Sequence, residues 1–150
     1  DYYISICFVD INGLKEVNDF LGHEAGDELI LTVADGIRAH IRKTDFVSRL
    51  GGDEFLIVFE TAGKAEAEMI WQNIVQYYER INEQEKRKYI VSVSHGIETF
   101  HCDTNEYIDT VVNHADEKMY NEKREIKKNL RVIRDLPVKA VPPQSFVDCL

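Results

Sequence analysis

The stretch RLGGDEFLIVF, from Arg49 to Phe59, decides the fold. Its two glycines separate two short apolar runs, and glycine adopts positive φ without a Cβ penalty, so the pair predicts a hairpin. The arms of this hairpin would be Phe46–Leu50 and Phe55–Phe59, with Asp53 and Glu54 just after the turn. Acidic residues at such a tip are usually solvated turn residues. The same placement also lets a hairpin direct carboxylates at a metal ion.

The composition fits a single globular domain and limits its partners. The chain has 150 residues, of which 44% are hydrophobic and 30% charged, enough for one domain with a buried core. Its net charge is −9, from 27 acidic against 18 basic residues. Binding to DNA or RNA depends on basic surface and counterion release, so we expect no nucleic-acid partner. An anionic ligand would need nearby lysines or a metal ion to offset the negative field.

Targeting signals are not visible in the sequence. No apolar run approaches the length of a membrane span, and there is no recognisable signal peptide. Cys7, Cys102 and Cys149 share no metal-type spacing and are expected to be reduced thiols. We therefore expect a cytoplasmic location, without membrane contact by this domain. The first residues, DYYISICFVD, already resemble a strand, so we expect a domain cut from a larger protein.

Hydrophobic periodicity along the rest of the chain predicts three further strands and four helices. The strands are residues 2–9, 89–97 and 130–133, and the helices run through 14–20, 29–41, 67–81 and 108–119. With the hairpin, the order is βααββαβαβ, an α+β fold whose central sheet is covered by helices on at least one face. Residues 135–150 hold all three prolines and predict a tail, a linker or an extended cover strand.

The predicted topology brings two distant carboxylates together. In a βαββαβ core of the ferredoxin-like type, the first and third strands are antiparallel neighbours. Asp10, at the end of the first strand, then meets Asp53 at the start of the third. Two carboxylates are costly to bring together unless a cation lies between them. A metal site is therefore favoured over a solvated turn.

Four motifs follow one another along the chain. They are FVDINGLKEVNDFLGHEAGD (8–27), RLGGDEF (49–55), VSVSHGI (91–97) and ADEKMY (115–120). Together they resemble the GGDEF family of bacterial diguanylate cyclases, which join two GTP molecules into cyclic di-GMP. The last two motifs are similar to the family's S-x-G-[IV] strand and A-D-x-x-[ML]-Y helix. The resemblance implies a palm-type nucleotide cyclase core, the GGDEF fold, over residues 1–134. It would lack the D-x-L-T segment that precedes the first strand in the family.

The resemblance assigns roles at the metal site, one position at a time. Asp10 matches a metal-binding carboxylate, and the carbonyl of Ile11 matches a further oxygen ligand. Asp53 matches the second metal carboxylate and the catalytic base for the 3′-hydroxyl, with Glu54 in support. Hard oxygen ligands of this kind suit Mg²⁺, with Mn²⁺ as the alternative cation.

For GTP as substrate, the resemblance implies a guanine site and a phosphate site. Asn18 and Asp27 match the family's guanine-reading pair, because a carboxylate accepts from both N1–H and N2–H of guanine. Without the family, Asp27 would be interpreted as an acidic residue in the first turn of a helix. The phosphate groups would be held by backbone N–H groups at a helix N-terminus and by one lysine. These residues are Gly13, Leu14, Lys15 and Lys123.

The phosphate corner departs from the family pattern after Lys123. Where the family reads A-K-x-x-G-R-N, this chain has EKREIKKN, with one extra residue and no Gly-Arg pair. Lys128 stands where the arginine would be, and Lys127 is the alternative phosphate contact. Lysine keeps the charge of arginine but lacks its planar fork.

RKTD, residues 42–45, has the R-x-x-D form of the family's product-inhibition site and the same offset from the hairpin. The resemblance implies that Arg42 and Asp45 bind cyclic di-GMP as an allosteric inhibitor. The chemistry suits guanine, since an arginine fork donates to O6 and N7 while a carboxylate accepts from N1–H and N2–H. The simpler interpretation is a helix end with an i,i+3 ion pair.

The resemblance also implies a homodimer, because each copy would carry one GTP and two copies must face each other head to tail. The leading hypothesis is therefore a metal-dependent diguanylate cyclase. The alternative is a weak or inactive domain that binds GTP or cyclic di-GMP, or dimerises, within a sensor protein. The five histidines form no ligand or triad pattern, and Trp71 with the pair Tyr77–Tyr78 is predicted to pack in the core.

Overall fold

The structure is a computed structural model that describes residues 2–134. In chain order its elements are β1 (Tyr3–Ile11), α1 (Leu14–Leu21), α2 (His23–His40), β2 (Phe46–Arg49), β3 (Glu54–Glu60), α3 (Lys64–Gln84), β4 (Val93–His101) and α4 (Ile108–Lys127). The predicted tail, residues 135–150, and Cys149 lie outside the described residues. Among those described, no helix is both long enough and apolar enough to cross a membrane.

The four strands form one antiparallel sheet in the order β2-β3-β1-β4, which confirms the predicted α+β class. Strand β1 is one of the two inner strands, and most of its side chains are apolar on both faces, so both faces can be buried. Cys7, Val9 and Ile11 face a core shared with α2 and α3. Ile6 faces a smaller core, completed by Val111 and Ala115 of α4. Helices therefore cover both faces of the sheet.

The register of β1 places the two predicted metal-binding segments side by side. Asp10 is opposite Glu54 in the β1–β3 pair, and opposite Ser94 in the β1–β4 pair. One residue further, the N–H of Ile11 donates to the carbonyl of Asp53 at 2.8 Å. The hairpin turn therefore lies at the C-terminal end of β1, where the topology predicted it.

The predicted final strand, residues 130–133, is wrong. Tyr89 and Ile133 form a single antiparallel bridge, and the N–H of Ile90 donates to the carbonyl of Val132 at 2.7 Å. Val132 and Ile133 are 7% and 5% exposed, so their apolar pattern reflects burial in the core rather than a place in the sheet. Burial alone gives the same sequence signal as a short strand.

Strand β4 is also displaced from its predicted position, 89–97, to Val93–His101. The reason is a side chain: Asn82 of α3 donates to the carbonyl of Val91 at 3.0 Å and accepts from its N–H at 2.8 Å. An amide that pairs with both backbone groups of one residue takes the place of a neighbouring strand.

Candidate active site

Asp10 is the centre of the site, at the point where β1 ends against the hairpin. Its side chain is buried, with 6% of the residue exposed. Oδ2 accepts from Nζ of Lys123 at 2.7 Å. Oδ1 is buried and has no hydrogen-bond partner among residues 2–134. Burial raises the pKa of Asp10 to about 6; Lys123 opposes this shift, and the neighbouring carboxylate of Asp53 adds to it.

The carboxylate oxygens of Asp10 and Asp53 fit a hard divalent cation. A buried oxygen without a partner is costly, and a cation beside two carboxylates would satisfy it. No group of three or more His, Cys, Asp or Glu side chains within residues 2–134 is arranged to hold a metal ion. Mg²⁺ commonly takes one or two carboxylates and completes its shell with water and substrate phosphates. Asp10 and Asp53 therefore provide what such a cation takes from a protein.

The N-terminus of α1 lies next to the end of β1. Gly13 precedes the helix with φ of 79°, a conformation that glycine adopts readily. A Cβ on Gly13 would also lie 2.4 Å from Cγ1 of Val132. Both the backbone conformation and this close contact therefore disfavour any residue other than glycine. No side chain in residues 2–134 caps this helix end, and its first N–H groups can serve an anion. The ammonium of Lys15 instead pairs with Asp19 at 2.9 Å on the surface.

The predicted guanine-reading residues lie where α1 and α2 touch. A Cβ on Gly26 would lie 1.8 Å from Oδ1 of Asn18, so glycine allows α2 to approach the Asn18 amide directly. Asp27 follows Gly26 and is exposed. The acidic residue in the first turn of α2 is Glu24, and Asp27 lies one turn further along. Its alternative interpretation as a first-turn residue is therefore wrong.

The two alternative phosphate lysines have different surroundings. Lys127 is the last residue of α4 and lines a small cavity of about 90 Å³ together with Gly13 and Val132. Lys128 follows the helix, and its Nζ pairs with Oε2 of Glu125 at 3.1 Å. Lys127 is thus the one that lies beside the N-terminus of α1.

Arg42 and Asp45 form a closed ion pair. Nε and Nη2 of Arg42 donate to the two carboxylate oxygens of Asp45 at 2.9 and 2.8 Å. The Asp45 side chain is completely buried and also accepts from the N–H groups of Arg42 and Glu60. Burial alone would raise the pKa of Asp45, but Arg42 and these N–H groups outweigh it and hold the pKa below its ordinary value. Arg42 remains 35% exposed and also contacts Glu66 at 3.2 Å.

His95 belongs to a hydrogen-bonded cluster that the sequence analysis did not predict. Its Nδ1 lies 2.9 Å from Oε1 of Glu122, and its Nε2 lies 3.0 Å from Oε1 of Glu68. Burial lowers the pKa of His95, but the two glutamates outweigh it and raise the pKa above its ordinary value. The ring stacks on Trp71 with centroids 4.7 Å apart, and Trp71 is buried as predicted. Glu122 is the residue that replaces alanine in the A-K-x-x-G-R-N pattern, a signal that could have pointed to this cluster.

Comparison with known proteins gives one consistent result. The family model described as "Diguanylate cyclase, GGDEF domain" matches residues 1–129. A bifunctional diguanylate cyclase/cyclic di-GMP phosphodiesterase, MucR of Pseudomonas aeruginosa, is 34% identical over 82% of this chain and 18% of its own length. The diguanylate cyclase TpbB of the same species is 34% identical over 86% of this chain, which spans 30% of TpbB.

Solved structures agree with the sequence comparisons. The GGDEF domain of TpbB aligns with a TM-score of 0.71 and 34% identity, covering 83% of this chain and 78% of that one. The GGDEF domain of DgcB from Caulobacter crescentus, solved in complex with cyclic di-GMP, aligns with a TM-score of 0.69 and 26% identity. It covers 83% of this chain and 74% of its own.

Proposed function

The chain belongs to the GGDEF family of diguanylate cyclases, and from that premise we propose that this domain condenses two GTP molecules into cyclic di-GMP. In each half-reaction the 3′-hydroxyl of one GTP attacks the α-phosphate of the other. One P–O bond forms, one breaks and pyrophosphate leaves, so two pyrophosphates are released per product. The observation that carries this proposal is the buried Asp10, whose Oδ1 has no hydrogen-bond partner in residues 2–134, beside Asp53 of the GGDEF signature.

Asp10, the carbonyl of Ile11 and Asp53 would hold Mg²⁺ or Mn²⁺, supported by Glu54. Such a cation, when bound, lowers the pKa of the 3′-hydroxyl and offsets charge on the phosphates. Asp10 has a pKa of about 6, so it is mostly ionised at neutral pH and can serve as a ligand. Asp53 is the base that accepts the proton of the 3′-hydroxyl.

The substrate would be held between α1, α2 and α4. Asn18 and Asp27 read the guanine base, with Asp27 accepting from N1–H and N2–H, a pair of donors that adenine does not offer. The N–H groups of Gly13, Leu14 and Lys15 bind the β- and γ-phosphates. Two lysines add positive charge, Lys123 near Asp10 and Lys127 beside the helix N-terminus. The proximity of Lys127 to Gly13 favours it over Lys128.

The product is twofold symmetric, which fits two domains facing each other in an isologous homodimer. Each domain would present one GTP, so neither copy completes the reaction alone. Cyclic di-GMP would then inhibit through the R-x-x-D pair. Because the carboxylate of Asp45 is buried and occupied, the contact with guanine falls to the exposed face of Arg42, which Asp45 holds in place.

Incubation of the domain with GTP and Mg²⁺, followed by mass detection of cyclic di-GMP and pyrophosphate, tests the activity. Asp53→Asn keeps the side-chain shape but removes the charge, so turnover should fall by roughly a hundredfold or more, a loss within the range typical of general base catalysis. Near wild-type product formation by this variant would refute the assignment of Asp53.

The competing function is a domain that binds the nucleotide without turnover. The observation in its favour is the altered phosphate corner, where Lys128 pairs with Glu125 and no Gly-Arg pair is present. Calorimetric titration with GTP separates the two functions. Binding of GTP by the wild-type domain, with no cyclic di-GMP formed at any Mg²⁺ or Mn²⁺ concentration, would establish the binding module instead.

A further inference from the structure

His95 lies on β4, which is an edge strand of the sheet, between two carboxylates from different helices. Glu68 of α3 faces one ring nitrogen and Glu122 of α4 faces the other, at 3.0 and 2.9 Å. An ionised carboxylate can only accept a hydrogen bond, so both ring nitrogens must donate. The arrangement is satisfied by an imidazolium, whose side chain is 12% exposed. We refer to Glu68, His95 and Glu122 as the edge triad.

The edge triad holds backbone as well as side chains. Oε1 of Glu122 also accepts from the N–H of His95, a group at the open side of β4. Earlier along α4, Lys118 donates to the carbonyl of Ile97 at 3.2 Å. Side chains of α4 thus pair with the edge of the strand, in the way that proteins commonly protect such edges.

The triad sits where the packing of α4 changes. Around Gly96, α4 is so close to the strand that an added Cβ would lie 2.0 Å from the carbonyl oxygen of Ala115. Beyond Glu122, a cavity of about 360 Å³ separates α4 from α3, with Val75 on one side and Ile126 on the other. Glu122 and His95 line this cavity themselves, so their contact joins α4 to β4 at its border.

Lys123 is the next residue on α4, and its ammonium donates to Asp10 at 2.7 Å. A shift of this part of the helix would move Lys123 away from the site. Loss of the imidazolium would leave Glu68 and Glu122 as two partly buried carboxylates without a cation between them, and their repulsion would push α4 outward.

We propose that His95, held between Glu68 and Glu122, is a positioning residue that fixes α4 so that Lys123 reaches Asp10 and the nucleotide phosphates. The inference rests on the proposed function for the role of Lys123. One residue of the edge triad, Glu122, stands where the A-K-x-x-G-R-N pattern has alanine.

Kinetics of His95→Gln, Lys123→Ala and the double variant test whether His95 acts through Lys123. The matched control is His101→Gln, an exposed histidine on the same strand. His95→Gln should lower kcat/KM by about tenfold, and the double variant should match Lys123→Ala within about twofold, because residues that act through one group are not additive. His101→Gln should stay within about twofold of wild type, as expected for a surface change. Equal losses from His95→Gln with and without Lys123 would refute the proposal.

Nuclear magnetic resonance of the nucleotide-free domain gives a readout independent of activity. In wild type, both imidazole N–H protons of His95 should be visible and protected from exchange with water. The ammonium signal of Lys123 should shift in His95→Gln and in Glu122→Gln, but not in His101→Gln. Glu122→Gln keeps the side-chain size, so it remains informative if His95→Gln does not fold.

The kinetic and magnetic resonance experiments distinguish the proposed function from the positioning role of His95. If wild type makes no cyclic di-GMP but the Lys123 signal responds as expected, the proposed function fails while the positioning role stands. An unchanged Lys123 signal in both variants would overturn the positioning role, whatever the activity.

Discussion

Replacement of Asp10 by asparagine should stabilise the domain at neutral pH when no divalent cation is present. The carboxylate is buried, and its pKa lies at about 6 against an ordinary 3.8. A difference of one unit between the pKa values in the folded and unfolded states corresponds to about 1.4 kcal/mol of free energy. Ionisation of Asp10 therefore costs the folded state about 2–3 kcal/mol relative to the unfolded chain.

The sign follows from proton binding. A carboxyl whose pKa is raised on folding binds its proton more tightly in the folded state. Its contribution to stability is thus complete below about pH 4 and is lost as the pH rises through about 6. The asparagine side chain of the variant has the shape of the protonated acid and cannot ionise. Asp10→Asn should therefore exceed wild type by about 2–3 kcal/mol at pH 8, and the difference should disappear near pH 4.

Urea unfolding followed by circular dichroism, from pH 4 to pH 8 with a chelator present, measures this difference. The control is Asp116→Asn, which changes an exposed carboxylate on α4 and should shift the free energy of unfolding by less than about 0.5 kcal/mol. Addition of Mg²⁺ should then reduce the difference in the free energy of unfolding between wild type and Asp10→Asn. Cation at tenfold its Kd stabilises wild type by about 1.4 kcal/mol and should leave Asp10→Asn unchanged.

A variant less stable than wild type at pH 8 without cation would refute the reasoning. It would mean that the ion pair between Asp10 and Lys123 stabilises the fold by more than the burial of the carboxylate costs.

Three further changes test other parts of the domain. Calorimetry should show that Asp27→Ala weakens GTP binding by about 1–3 kcal/mol and leaves ATP binding unchanged. An equal loss of affinity for GTP and ATP would mean that Asp27 has only a structural role. Arg42→Lys retains a cation beside buried Asp45 but removes the exposed face of the guanidinium, which is the part left for a ligand. Cyclic di-GMP should therefore bind about tenfold more weakly or worse, and equal affinity of the two proteins would make the Arg42–Asp45 pair structural only. Gly96→Ala should destabilise the domain by about 1–3 kcal/mol or more, because its Cβ would lie 2.0 Å from a backbone oxygen of α4. Thermal unfolding measures this loss, and Gly63→Ala, with no atom within 4 Å of its Cβ, is the control. Equal melting temperatures for Gly96→Ala and Gly63→Ala would refute the clash.

The central part of the fold could be predicted from local signals. The glycine pair between two apolar runs predicts the hairpin, although neither Gly51 nor Gly52 has a positive φ in the structure. Strand β1 is visible because its sequence is rich in β-branched and aromatic residues. Once these two elements are placed, antiparallel pairing requires that Asp10 lies near Asp53. The observed register places Asp10 against Glu54, next to the predicted partner Asp53, because topology and the hydrophobic pattern of both strands agree.

Apart from residues 130–133, whose burial resembles a strand, the sequence analysis failed where a distant side chain takes part. Asn82 satisfies both backbone groups of Val91, so β4 begins later than its apolar pattern indicates. The edge triad is built from residues spaced 27 apart on both sides of His95, on three separate elements. No local periodicity connects such residues, and each alone resembles an ordinary surface charge.

Asp10 and Asp45 are two buried carboxylates with different surroundings. The acceptor positions of Asp45 are occupied by the fork of Arg42 and two backbone N–H groups, and its pKa is held below the ordinary value. Asp10 has one lysine and one oxygen without a partner in residues 2–134, and its pKa is raised.

This difference in compensation has a consequence for ligand binding. A complete set of donors leaves nothing for a ligand to add, so the Asp45 carboxylate holds Arg42 in place. Under the proposed inhibition by cyclic di-GMP, recognition at that corner would then depend on the arginine. An incomplete set of donors, as at Asp10, leaves a desolvation cost in the folded state that a bound cation can offset. Under the proposed function, the raised pKa of Asp10 should fall towards the ordinary value on addition of Mg²⁺, because a cation favours the ionised carboxylate.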